Sequence, residues 1–306
     1  MNRFFTLLLM VIFIKGFGQI SSYQKFFSYF QKEKNTHIIL RKFQLNDAKN
    51  HYFAVEANSL KTVLIHGGHF REIPLQQLRK RFRNSQYFKV LKFSDALFSG
   101  LQDNGIKSLQ GNYGFAVTTD LCPSTKNLEF NFYNHLPQMV SGKKSVPVTV
   151  FLSGLWLKKH QPELRKLLEL QSKKQISITW GNHSYTHPYH PKLPMDRNFL
   201  LSSDHLENEI LDTEKEMLKN AILPSVYFRF PGLVSNRQTF DFVKSFGLIV
   251  VNTDSWLAKN QFPQDGSIAL LHGNGNEPEG IIKFSDWAKG KKLFIRSLDE
   301  MMGNIR

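Results

Sequence analysis

The sequence predicts an α/β fold, a (β/α) barrel preceded by a small α+β region, and three observations point there. From about residue 112 onward, short apolar runs alternate with helical stretches in repeated units, the order that builds a parallel sheet, and their number fits a barrel. Polar residues collect at the ends of these runs: Asp120, His183, Arg229, Asp254 and His272 all fall at or just past strand C-termini, the face where barrel enzymes carry their chemistry. With 306 residues, 41% of them hydrophobic, the chain is long and apolar enough to bury a sizeable core.

Taken in order, the chain opens with Arg3, an uncharged run from Phe4 to Ile14, then Lys15 and GFGQ. A basic start, a short apolar core and small residues before a cut describe a secretory signal, and the core falls short of the ~20 residues that span a bilayer. Residues 1–18 are therefore expected to be a signal peptide cleaved near Gly18. Lys15 and the bulky Phe17 leave an uncleaved N-terminal anchor as the alternative. Either way the body is expected to be exported, periplasmic or secreted. The full chain's formal charge of +15, less Arg3 and Lys15 of the expected signal, fits an anionic cell envelope as well as a merely basic surface. No helix-turn-helix, zinc-finger or RNA-binding pattern accompanies that charge, so nucleic acid is not an expected partner. Cys122 is the only cysteine, which excludes an intramolecular disulfide.

Residues 19–111 form the α+β region, of unknown role. They contain strand-like HIILRKFQL, HYFAVEA and KTVLIHGG, helical LQQLRKRFRN, and FSDALFSGLQDNGI, which reads as a helix closed by Asn104 and Gly105. Residues 112–306 carry the barrel units: GFAVTTD before LEFNFYNHLPQMV, VPVTVFLSG before WLKKHQPELRKLLEL, and ISITWGNHS before SSDHLENEILDTEKEMLKNA. SVYFRFPG before NRQTFDFVKSFG, then LIVVNTDS, then SIALLHGN with a helical tail, complete them.

Five strand ends bear candidate chemistry. VTTDLCPS holds one carboxylate, Asp120, which reads as a catalyst or as a helix cap. GNHSYTHP places His183 and His187 four apart; on a helical turn both imidazoles would meet one metal ion, with Asn182 and Ser184 as supporting partners. His190, in the same Pro-rich stretch, reads as a further ligand or a surface histidine. In YFRFPG, Arg229 can hold a carboxylate, Asp120 or Asp254, ionised and in a fixed pose. NTDSW and ALLHG add Asp254, Trp256 as a wall for a sugar, and His272 as a general acid, against a helix cap and a satisfied histidine.

Together these pieces resemble the polysaccharide deacetylases, the NodB-homology carbohydrate esterases, over about residues 112–285. The usual TFDDGP is here TTDLCP, H[ST]xxHP is HSYTHP, RxPxG is represented by RFPG, DSxDW is matched in part by DSW, and LxH is LLH. The resemblance implies a distorted (β/α) barrel and a divalent metal, zinc first, held by His183 and His187. It implies Asp120 as base, Arg229 orienting it, Asp254 as a catalytic partner, His272 as acid, and Trp256, Pro231 and Gly232 against the substrate. The implied function is an exported metal-dependent deacetylase acting on acetyl groups, N-acetyl first, of a polysaccharide or cell-wall glycan. A catalytically silent glycan-binding protein on the same fold is the alternative, because Leu121 stands where the family has an aspartate ligand. The third ligand is then His190, a shifted Asp120, a water, or absent. Cys122, two residues from the base, reads as a small filler or as a thiolate ligand.

Overall fold

The computed structural model describes residues 19–46, 49–140 and 145–305; the expected signal peptide lies outside the described residues. Four antiparallel strands come first, paired in sequence order: β1 (Ser21–Lys32), β2 (Asn35–Gln44), β3 (Asn50–Glu56) and β4 (Thr62–His66). Period-two alternation gives β2 and β3 two apolar faces. Leu40 and Phe53 share one core with Phe151, Tyr227 and Ile249 of the second sheet, while Ile39, Tyr52 and Ala54 pack under the loop that carries Phe70. The α+β region is thus fused to the second sheet through a common core.

Helices α1 (Leu75–Arg81) and α2 (Gln86–Asp95) follow. The helix expected in FSDALFSGLQDNGI is not formed as read, because α2 lies earlier and stops at Asp95. Beyond it the Asn104 side chain accepts from the backbone N–H of Ser99 at 2.7 Å and of Gly100 at 3.2 Å, and its amide donates to the Gly100 carbonyl at 2.7 Å. A side-chain amide offering the backbone these partners favours a loop over a helix.

The second sheet has seven strands: β5 (Ala116–Leu121), β6 (Val146–Leu152), β7 (Ile176–Asn182), β8 (Tyr227–Phe228), β9 (Ile249–Val250), β10 (Ser255–Trp256) and β11 (Ile268–His272). Their order is β10-β11-β5-β6-β7-β8-β9, and every neighbouring pair is parallel. The connections carry α3 (Phe130–His135), α4 (Gly154–Lys159), α5 (Gln161–Ser172), α6 (Leu206–Lys219) and α7 (Arg237–Ser245), with α8 (Pro278–Ala288) and α9 (Leu298–Met302) in the tail. This is the expected (β/α) barrel in a curled, open form. Among the described residues no ladder joins β9 to β10; instead Ile106 bridges Val251 and Ser108 bridges Ser267, so residues 106–108 straddle the seam.

One buried ion pair ties the antiparallel sheet to α6. Arg41 donates through Nε to Glu214 Oε2 at 2.7 Å and through Nη2 to Oε1 at 2.8 Å, with both side chains at zero exposure. Tyr23 donates to the same carboxylate, and Arg41 Nη1 donates to the Phe246 carbonyl. Leaving one partner of such a pair alone in the core costs about 3–5 kcal/mol, whereas replacing both by apolar residues costs far less. Glu214→Ala should therefore lower the urea unfolding free energy by about that amount, and an Arg41→Met/Glu214→Met pair by clearly less.

A second buried contact gives a pH dependence. Tyr227 donates to Asp299 Oδ1 at 2.6 Å, and burial pushes the Asp299 carboxyl above its ordinary value, a rise that the Tyr227 hydrogen bond and Lys61 only partly offset. A carboxyl raised on folding binds its proton more tightly in the native state. Its stabilising contribution is present below the unfolded carboxylate pKa of about 3.9 and is lost as pH rises through the folded value. Urea midpoints measured from about pH 4 to pH 7 should therefore fall relative to those of Asp299→Asn as the pH increases.

Candidate active site

Strand register assembles the site. His272 pairs with Asp120 across β11 and β5, Leu121 with Leu152 across β5 and β6, and Leu152 with Asn182 across β6 and β7. Parallel strands in this register bring Asp120, Cys122, His183 and His272 to one end of the sheet. They line a cavity of about 470 Å³ together with His187 and Trp256. Side chains alternate along β5, so Asp120 faces the site while Leu121, fully buried, belongs to the apolar core with Tyr133 and Leu152.

Arg229 organises the carboxylate. Its Nη1 donates to Asp120 Oδ1 and to Thr118 Oγ1, both at 2.8 Å, and Nη2 donates to the Asn252 carbonyl at 3.0 Å. The guanidinium also lies 4.2 Å from the Phe151 ring centroid. Of the two carboxylates open to it in the sequence, Arg229 takes Asp120. Burial alone would push the Asp120 carboxyl up, but Arg229, with His183 and His272, holds it below the usual range.

The helical turn expected over His183–His187 is absent. Backbone N–H groups that would feed a helix are taken by side chains: Asn182 Oδ1 accepts from Ser184, Glu209 Oε2 accepts from Tyr185 and Thr186, and Ser184 Oγ accepts from His187. Ser184 and His187 accordingly adopt positive φ angles of 66° and 49°. Such backbone is costly for residues with a Cβ and persists where the surroundings impose it, here Glu209 of α6. The two rings still converge, with centroids 4.7 Å apart.

His183 Nδ1 lies 2.8 Å from the Arg229 carbonyl, an acceptor only, so the proton sits on Nδ1 and Nε2 is left for the site. That Nε2 is 3.5 Å from Cys122 Sγ and 3.5 Å from Asp120 Oδ2. Among the described residues, His187 Nε2 is buried without a hydrogen-bond partner. One donor atom each from Cys122, His183 and His187 lie within 4.8 Å of one another, all three residues buried. Burial pushes the Cys122 thiol up, yet His187 and His183 draw it well below its ordinary value, toward the thiolate that binds metals. Three convergent donors and an orphaned buried imidazole nitrogen fit a divalent cation. Two of them are the expected histidines, and the third is Cys122 rather than His190, which is exposed and borders a separate cavity with Leu193 and Arg197.

His272 projects from the end of β11, its Nδ1 2.8 Å from Glu277 Oε2, and its imidazole is held well above the ordinary histidine value: burial works against this, while Cys122 and Glu277 favour the charged form. Trp256 and Gly232 line the cavity as expected. Pro231 does not; it is buried at the start of a short 3-10 turn. Asp254 is also held apart. Its oxygens accept from the Ile268 backbone at 3.0 Å and from Ser267 Oγ at 3.2 Å, so it clamps the start of β11. Sequence reading missed Glu209 and Glu277, whose only signal was acidity within a helix or loop.

Residues 118–251 match a family model described as polysaccharide deacetylase. Among solved structures, a family 4 carbohydrate esterase from Bacillus anthracis is 22% identical, covers 71% of this chain and 92% of its own, and superposes with a TM-score of 0.49. A family 4 pseudoenzyme from the same organism is 17% identical, covering 63% and 66%, with a TM-score of 0.43. The chitin deacetylase of the fungal pathogen Colletotrichum lindemuthianum is 17% identical, covering 64% and 90%, with a TM-score of 0.46. The match contains Asp120, Cys122, His183, His187 and Arg229, the residues that the fold gathers at one end of the sheet, so over this segment the chain is similar to the polysaccharide deacetylases.

Proposed function

We propose that this protein is an exported, metal-dependent deacetylase that hydrolyses acetyl groups, N-acetyl in the first place, on a polysaccharide or cell-wall glycan. The observation that carries this reading is the orphaned Nε2 of His187 beside Cys122 and His183, next to a carboxylate fixed by a buried arginine. The export reading is supported by the apolar run Phe4–Ile14 behind Arg3, and an envelope or glycan setting by the +15 charge.

Cys122, His183 and His187 would hold the metal, zinc being favoured because a thiolate with two imidazoles is a donor set for borderline-soft cations. When bound, it would supply polarisation of the acyl carbonyl and acidification of a water. The chain's own groups do the rest. Arg229 engages Asp120 Oδ1, which leaves Oδ2 to take a proton from a water in the cavity as that water adds to the carbonyl carbon. His272, fixed at Nδ1, presents Nε2 to the cavity and gives its proton to the departing sugar nitrogen as the C–N bond breaks, so acetate and a free amine leave. Trp256 offers an indole face against which a sugar ring can lie.

Leu121 does not by itself make the site silent, since Cys122 supplies the donor that Leu121 lacks. Asp120→Asn should lower acetate release from N-acetylglucosamine oligomers by about 10²–10⁴-fold, the usual span for a general base. Unchanged activity in that variant would remove Asp120 as the base, and a wild type that releases no acetate would leave the silent glycan-binding reading in its place. Titration with cobalt(II) tests the ligand set without turnover. A near-ultraviolet thiolate-to-cobalt band should grow in the wild type and be absent in Cys122→Ser, and a wild-type titration without that band would remove Cys122 from the ligands.

A further inference from the structure

Glu277 stands immediately before α8, where an acidic residue ordinarily serves the helix, yet its side chain makes no capping hydrogen bond. Its carboxylate is turned toward the cavity. Oε2 lies 2.8 Å from His272 Nδ1 and 2.8 Å from Trp256 Nε1, so one oxygen faces a ring nitrogen from each of two neighbouring strands, β11 and β10. Indole nitrogen can only donate, and an ionised carboxylate can only accept, so the hydrogen between Glu277 and His272 belongs to Nδ1. The Trp256 bond braces the carboxylate sideways, and Lys259, whose Nζ lies 3.5 Å from the Trp256 ring centroid, covers the indole. Asp254, the carboxylate nearest Trp256 in sequence, accepts instead from Ile268 of β11 and from Ser267 just before it.

We propose that Glu277 is the positioning residue for His272: braced by Trp256, it fixes the tautomer and pitch of the imidazole so that Nε2 points at the leaving group. This rests on the reading of His272 as the general acid. Glu277 touches no reacting atom itself, and it acts only through the ring it holds.

The test uses the full chain loaded with zinc, with acetate release from N-acetylglucosamine oligomers as one readout and nuclear magnetic resonance of isotope-labelled histidine as the other. Glu277→Ala should lower kcat about 10–100-fold with KM little changed. Glu277→Gln, which keeps an acceptor oxygen, should recover most of that loss. In a His272→Ala background Glu277→Ala should cost nothing more, because two residues that act as a unit are not additive. At a pH where the ring is neutral, the spectra should place the His272 proton on Nδ1 in the wild type and lose that preference in Glu277→Ala. An unchanged tautomer, or a double variant with a lower kcat than His272→Ala alone, overturns the proposal. Full activity in His272→Ala instead overturns the reading of His272 as acid, and the tautomer spectrum then still decides whether Glu277 sets the ring.

Discussion

A guanidinium buried in the curl of a parallel sheet has to be neutralised and hydrogen-bonded, and the site of this protein is arranged around how Arg229 meets that demand. Its partners come from β5, through Thr118 and Asp120, and from the segment after β9, through the carbonyls of Val251 and Asn252. The backbone carbonyl of the same residue accepts from His183. One side chain and its own peptide group thereby fix the pose of a carboxylate and the tautomer of an imidazole. A buried ion pair is weak evidence for stability, because desolvation consumes most of the attraction. Its value here is geometric: Asp120 cannot rotate without stranding a charge.

The strand ends were legible in the sequence because a polar residue terminating an apolar run has few structural reasons to be there. Asp120, His183, Arg229 and His272 were found that way, and register alone then brings them together. The carboxylate partner of Arg229 was not decided, since Asp120 and Asp254 look alike as strand-end acids. Only the three-dimensional path shows Asp254 spent on the Ile268 amide. Glu209 and Glu277 were illegible for a related reason. Glu209 lies in the helix after a long loop, and its effect is to capture the N–H groups of Tyr185 and Thr186 and so abolish the helical turn that HxxxH spacing invited.

Position 121 illustrates how a missing side chain and a lost function differ. The pleat sends residue 121 into the apolar core and residues 120 and 122 toward the cavity, so a thiol one position on can reach a place that leucine never faces. In the proposed ligand set this step brings a soft thiolate in place of a hard carboxylate, which alters which cations such a site would prefer.

The open seam of the sheet has a consequence for how much of the chain the fold needs. Parallel strands left unpaired at β9 and β10 would present bare N–H and C=O groups, templates for pairing with other molecules. Residues 106–108 bridge Val251, just after β9, and Ser267, just before β11, and they belong to the N-terminal region rather than to the (β/α) units. Together with the apolar core shared by both sheets, this makes the N-terminal region part of what closes the open side of the parallel sheet.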